Sequence, residues 1–179
     1  SDTDEGATDL SVLVTAVRGA VDHLGMPPQH SPWLPALPGF VTLDEIRSRL
    51  AELDPAAAGE PFTVGWALED RPDEQAQVPA TFTLGTSGHL FLVGGPRSGR
   101  STALRTIVGA LAHKVAARDL HVFGLDCGNG ALLPLTALAH TGAVVRRTEV
   151  ERASRLIRRL TEEVARRQGV LGAHGFADI

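Results

Sequence analysis

Apolar residues at three- and four-residue steps open the chain. Leu10, Leu13, Val14, Val17, Val21 and Leu24 follow two candidate caps, Thr8 and Asp9, and stop at Gly25. This spacing predicts an amphipathic helix that needs a partner surface. From Met26 to Pro38 the prolines 27, 28, 35 and 38 surround Trp33 and Leu34, a composition that excludes helix and predicts an extended connector at a domain boundary. Thr42 and Glu45 have the spacing of a capping box for a short helix with Leu43, Ile46, Leu50 and Leu53 inward, and Ala56 to Glu60 ends it. Phe62, Val64 and Trp66 alternate with small or polar neighbours, and Ala80 to Leu84 alternates again after a turn at Asp70–Asp73. The pair predicts an antiparallel hairpin.

Beyond the hairpin the pattern changes from alternation to continuous apolar runs. Gly88 to Val93 predicts a buried strand ending in glycines, and Leu104, Ile107, Val108, Leu111 and Val115 mark the helix after it. Leu120 to Leu125 predicts a second strand ending at Asp126, and Gly142 to Val145 a third. A final helix over about Glu149 to Leu171 carries Val150, Ala153, Ile157, Leu160, Val164 and Leu171 on one face. Strands alternating with helices predict an α/β fold whose parallel sheet is flanked by helices. The expected organisation is residues 1–40 as a helix and proline-rich linker closing a preceding module, and 41–179 as the N-terminal part of the α/β domain.

The junction between the first apolar run and its helix carries the chemistry. Gly94-Gly95-Pro96-Arg97-Ser98-Gly99-Arg100-Ser101-Thr102 follows the pattern G-x-x-x-x-G-K-[ST], with Arg100 in place of lysine. Such a loop must be clear of side chains so that successive backbone N–H groups face a phosphate while the helix adds its positive end. Gly94, Gly95 and Gly99 meet that need, Ser101 would ligate Mg²⁺ through the nucleotide, and Arg100 would reach the terminal phosphates of ATP. Arginine is a bulkier fork than an ammonium, so binding is expected to survive the exchange better than turnover. Hydrolysis further requires an acid at a strand end. Asp126 is the one candidate metal-holding residue there, without the paired acid usual in hydrolytic strand ends. Glu69 and Asp70 precede the loop and are expected in a turn.

Composition narrows the rest. The chain has 179 residues, 43% hydrophobic and 21% charged, the balance of a globular domain with its own core. It starts without methionine, which we read as a segment of a longer polypeptide. Cys127 is the single cysteine, which excludes an internal disulfide and fits a reducing compartment. The net charge of -4 disfavours a phosphate backbone as main partner. Between Arg146 and Arg167 eight arginines stand against Glu149, Glu151, Glu162 and Glu163, either a solvated face of Glu–Arg pairs or a stripe for duplex DNA. The seven histidines show no metal-ligand spacing.

With these residues assembled, the chain resembles the FtsK/SpoIIIE-like ATPase domains and, among them, the tandem ATPase modules of the EccC component of type VII (ESX) secretion. The resemblance runs from about Trp33 onward. It rests on Trp33-Leu34-Pro35, Asp70-Arg71-Pro72 with Gln75, Gly88-His89 leading into the loop from Gly94 to Thr102, Leu125-Asp126 with Gly128 and Gly130, and Leu138-Ala139-His140 with Gly142. It implies a P-loop (RecA-like) domain, incomplete at the C-terminus before the family's Walker B strand. It also implies a cytoplasmic motor, anchored to the membrane only through other parts of the protein, with neighbouring ATPase modules on the same chain and secreted helical-hairpin substrates. In that family later modules with degenerate motifs bind ATP without cycling it readily, and Arg100 points to such a unit. Two alternatives stand beside this reading: a DNA-translocase motor of the same class, and a vestigial P-loop module that docks a peptide or a neighbouring domain.

Overall fold

A computed structural model describes residues 8–27 and 33–176. The middle of the proline-rich connector, with Pro28, lies outside the described residues. The chain divides into two compact units, Ser1–Leu34 and Pro35–Ile179. In the first, helix α1 spans Asp9–His23. Thr8 caps it, its hydroxyl accepting from the Ser11 N–H at 3.2 Å. Gly25 ends it at φ +60°, which lets the Met26 N–H fold back onto Val21 O at 3.1 Å.

The second unit opens with helix α2, Leu43–Leu53, and the predicted capping box is present in full. Thr42 Oγ1 accepts from the Glu45 N–H, and the Glu45 carboxylate accepts from the Thr42 N–H at 2.7 Å. Ile46 and Leu50 are its buried face. The stretch read from sequence as the end of this helix forms a separate short helix, α3, Pro55–Gly59, because Asp54 caps the Ala57 N–H and Pro55 suits a first helical position.

Strands β1, Thr63–Arg71, and β2, Ala76–Thr83, form the expected antiparallel pair. They run longer than the alternation indicated, and Glu69 and Asp70 lie within β1 rather than in a turn. The reversal falls instead on a 3-10 turn at Pro72–Glu74, with Gln75 left-handed at φ +48°. A bulge between Gly65 and Ala67 shifts the register. At the open end of the hairpin the hydroxyls of the buried Thr63 and the half-buried Thr83 meet at 2.8 Å.

Helix α4, Arg100–Lys114, packs on β1. Val64, Ile107, Leu111, Val115 and Leu120 form the core, with Trp66, Phe82, Ala110 and Val122 against it. Lys114, the single lysine, ends α4 as a clasp. Its Nζ donates to Ala58 O and Thr63 O, both at 2.8 Å, and to Glu60 O, tying α3 and the start of β1 to the helix.

β3, Val122–Asp126, and β4, Thr141–Arg146, pair in parallel, from Val122 opposite Thr141 to Asp126 opposite Arg146. Their crossover contains a 3-10 segment, Leu133–Ala137, that buries Leu135. His140 braces it: Nε2 lies 2.7 Å from Val115 O, while the buried Nδ1 has no partner. Helix α5, Val150–Ala173, packs on β4 and buries Leu156, whereas Val150, Ile157 and Val164 of the apolar face read from sequence are exposed.

One predicted strand is corrected. Gly88 to Val93 adopts no strand pairing among the described residues, and Phe91 and Val93 are 88% and 80% exposed. A strand is stabilised by its neighbours rather than by its own residues, and this apolar run has no hydrogen-bonded neighbour here. The parallel sheet is therefore two-stranded in place of the three strands expected, with the antiparallel pair as a separate sheet.

Candidate functional site

The loop from Gly94 to Gly99 is shaped by its own residues. The Ser98 N–H donates to Gly95 O at 3.3 Å, closing a turn around Pro96 and Arg97. Gly94 has no room for a side chain, since an added Cβ would lie 3.0 Å from Ser98 Cβ and nearer still to its hydroxyl. Around Gly95 and Gly99 the space is open instead. Gly99 stands at φ +86° as the N-cap of α4, a conformation that favours glycine.

This geometry leaves a donor array. Gly99 O accepts from the Ala103 N–H at 2.8 Å, so α4 begins in regular geometry, yet no side chain caps it. The N–H groups of Arg100, Ser101 and Thr102 thus open the helix without intrahelical acceptors, at its positive end. Thr102 Oγ1 accepts from Arg105 at 3.5 Å. Among the described residues Ser101 Oγ makes no hydrogen bond, and the exposed Arg97 and Arg100 make neither an ion pair nor a side-chain hydrogen bond. Arg97 holds φ +60°, the left-handed region that a non-glycine residue seldom occupies.

Asp126 is built differently. It is buried at the end of β3, where Oδ1 accepts from the Gly128 N–H at 2.9 Å and Oδ2 from the Leu132 N–H at 2.8 Å. The Leu132 amide is the main force holding its pKa below the ordinary carboxylate value. The Gly128 and Gly130 amides and the Arg146 charge act in the same direction, against burial. Both oxygens are thus engaged in folding the Cys127–Leu132 loop.

Sequence reasoning missed a feature beside it. The β3 and β4 ends bring Gly128, Asn129 and Gly130 next to Arg146, Arg147 and Thr148 around a cavity of about 300 Å³. Parallel sheets bind ligands at such carboxyl edges, but only the register of Asp126 opposite Arg146 brings the two segments together. Larger spaces lie away from the loop, including one of about 570 Å³ lined by Leu50, Val64, Gly65 and Lys114. The glycine loop itself is an open cradle, and its donors rather than its enclosure make it the candidate. No group of three or more His, Cys, Asp or Glu among the described residues could hold a metal ion.

Comparison with known proteins agrees with this architecture. Residues 55–179 match the FtsK/SpoIIIE family, and the chain belongs to it. The chain is 37% identical over 177 residues to the ESX-4 secretion system protein EccC4 of Mycobacterium tuberculosis, covering 97% of this chain and 14% of that protein. It is 35% identical to the ESX secretion system protein EccC of Thermomonospora curvata, covering 90% of this chain and 12% of the relative. Among solved structures, the cytoplasmic domain of the T. curvata type VII secretion ATPase EccC superposes with a TM-score of 0.69 at 31% identity, over 84% of this chain and 18% of that one. ATPases 2 and 3 of T. curvata EccC, in complex with a signal sequence peptide, superpose with a TM-score of 0.61 at 30% identity, over 65% of this chain and 21% of that one. The chain thus spans less than one sixth of the length of the EccC4 and EccC proteins it matches.

Proposed function

We propose that the chain is an ATP-binding module of a type VII secretion ATPase, in which the loop from Gly94 to Thr102 holds the nucleotide phosphates and Arg100 limits turnover. The observation that carries this reading is the start of α4. There the left-handed Gly99 presents three unclaimed amides, and the loop interior is open at Gly95 and Gly99. The amides of Arg100, Ser101 and Thr102 would bind phosphate oxygens, and the Arg100 fork would grip them in two-point fashion. Of the groups suited to Mg²⁺, the Ser101 hydroxyl is without a partner and the Asp126 carboxylate is committed to its own loop. The donor set therefore fits the phosphates better than it fits the metal.

In the whole protein this module would work beside further ATPase modules of the same chain on secreted helical-hairpin substrates, at the cytoplasmic face of the membrane. No helix among the described residues is long and apolar enough to cross a bilayer. On α5, Arg152 pairs with Glu149, and Arg166 and Arg167 with Glu163, which favours a solvated face over a DNA-binding stripe. The test is the thermal midpoint of the 179-residue chain with and without Mg·ATP. A ligand at a hundred times its dissociation constant adds about 2.7 kcal/mol. The expected result is a rise in midpoint that Gly99→Val, which forces a branched side chain into the left-handed cap, abolishes. An unchanged midpoint, with no heat of binding by calorimetry, would leave the loop vestigial.

A further inference from the structure

We propose that the cavity at the carboxyl ends of β3 and β4 binds a phosphate group, as orthophosphate or a small phosphate monoester, through Arg146 and Arg147. No residue of the glycine loop lines this cavity, and the proposal does not depend on nucleotide binding at that loop.

The lining is cationic and holds no carboxylate. Gly128, Asn129 and Gly130 come together with Arg146, Arg147 and Thr148 around about 300 Å³. Among the described residues the guanidiniums of Arg146 and Arg147, the Asn129 amide and the Thr148 hydroxyl make no ion pair or side-chain hydrogen bond. Two other arginine-lined cavities differ in this respect. One sets Asp44 beside Arg47, and the other sets Asp119 and Glu163 beside Arg118, Arg159 and Arg167.

The acids nearest the strand ends are already engaged. Asp126 accepts from the Gly128 and Leu132 amides. Glu149 accepts from the Arg146 N–H at 2.9 Å and pairs with Arg152. Neither carboxylate forms an ion pair with Arg146 or Arg147, so both guanidiniums keep their donors for a ligand.

These groups suit a tetrahedral oxyanion. Each guanidinium offers parallel N–H donors that match two oxygens of one phosphate, and the Asn129 amide and Thr148 hydroxyl add neutral donors. Two cations match a dianion, which favours phosphate over a carboxylate. The volume stands at the lower end of small-molecule sites and suits a phosphate with a short substituent. The carboxyl edge of a parallel strand pair is also where open α/β sheets bind ligands.

The experiment is a ¹⁵N–¹H correlation titration of the 179-residue chain with sodium phosphate at constant ionic strength, repeated with glycerol 3-phosphate and with acetate. Saturable shifts are expected at the amides of Asn129, Gly130, Arg147 and Thr148, with a dissociation constant on the order of 1 mM. The same shifts with glycerol 3-phosphate assign the site to phosphate monoesters, and shifts with orthophosphate alone assign it to the free ion. Arg146→Gln and Arg147→Gln should each weaken binding about tenfold, and Gly99→Val, which alters the other loop, should leave it unchanged. Unliganded spectra show whether each variant keeps its fold, and the wild-type shifts locate the site whatever the variants do. Shifts confined to residues 94–102, unsaturable shifts scattered along α5, no shifts at all, or equal binding of acetate would overturn the proposal.

Discussion

Asp126→Asn separates a structural carboxylate from a metal-holding one. In the folded chain the two oxygens each receive a backbone N–H, from Gly128 at 2.9 Å and Leu132 at 2.8 Å. Asparagine fills the same volume but keeps one acceptor, and its NH₂ must face one of those amides. The exchange loses one charge-assisted bond, leaves a buried donor opposed to another donor, and weakens the bond that remains. Hydrogen bonds to charged groups contribute about 1.5–3 kcal/mol each, which puts the expected loss at about 2–3 kcal/mol. For a domain of this size that moves the urea midpoint down by roughly 1 M.

The pH dependence adds a sign. The Leu132 amide, aided by the Gly128 and Gly130 amides and Arg146, lowers the Asp126 pKa in the folded state. The unfolded chain therefore binds more protons in the window between the folded value and the ordinary value near about 3.9. The Asp126 contribution is complete above the ordinary value and is lost as pH falls through the folded one. The gap between wild type and Asp126→Asn should thus be full at neutral pH and close on acidification. Glu45, Glu149 and Glu163 are also lowered, each by hydrogen bonds to the carboxylate, but both proteins share them, so the difference isolates Asp126. Equal urea midpoints at neutral pH, or a gap that stays constant into acid, would refute the assignment of this side chain to its loop.

Two further perturbations test the frame around the loop. Lys114→Met removes the donor shared by Ala58 O, Glu60 O and Thr63 O and should cost about 2 kcal/mol in urea unfolding, with Lys114→Arg failing to restore it because a flat fork cannot converge on three carbonyls. Gly65→Ala would place a Cβ 2.7 Å from Ile46 Cγ2 beside the β1 bulge and should cost about 1–3 kcal/mol. The double variant with Ile46→Ala should then cost measurably less than the sum of its parts, and strict additivity would show that the two residues do not meet.

Elements whose cause is local were legible from sequence, as were the β1–β2 hairpin and the strands β3 and β4, whereas contacts set by distant residues were not. The Thr42–Glu45 box, the Gly25 stop of α1 and the helices α4 and α5 each depend on residues within one or two turns and form as expected, although α5 buries Leu156 rather than Val150, Ile157 and Val164. The α3 turn was missed because its Asp54 cap also reads as the end of α2. The apolar run before Gly94 has strand composition but lacks a hydrogen-bonded neighbour among the described residues. Lys114 reads in sequence as an ordinary polar end to a helix, and nothing local announces that three carbonyls more than fifty residues away converge on it. The cluster of Gly128–Gly130 with Arg146 and Arg147 is likewise a product of strand register.

The same division explains how a recognisable glycine loop can follow an apolar run that pairs with no strand among the described residues. The features that prepare it for an anion are the left-handed Gly99, the close approach of Gly94 to Ser98, the Gly95–Ser98 turn and the uncapped start of α4. All lie within the loop or the first turn of the helix, and α4 is anchored independently by Ile107 and Leu111 in the core and by Lys114 at its far end. On the proposed reading, phosphate binding therefore requires no sheet edge. Hydrolysis does, because an acid on a neighbouring strand must be held at a fixed distance from the loop, and only paired strands provide that distance. On the reading proposed above, arginine at position 100 and the commitment of Asp126 to its own loop favour holding a nucleotide over consuming it.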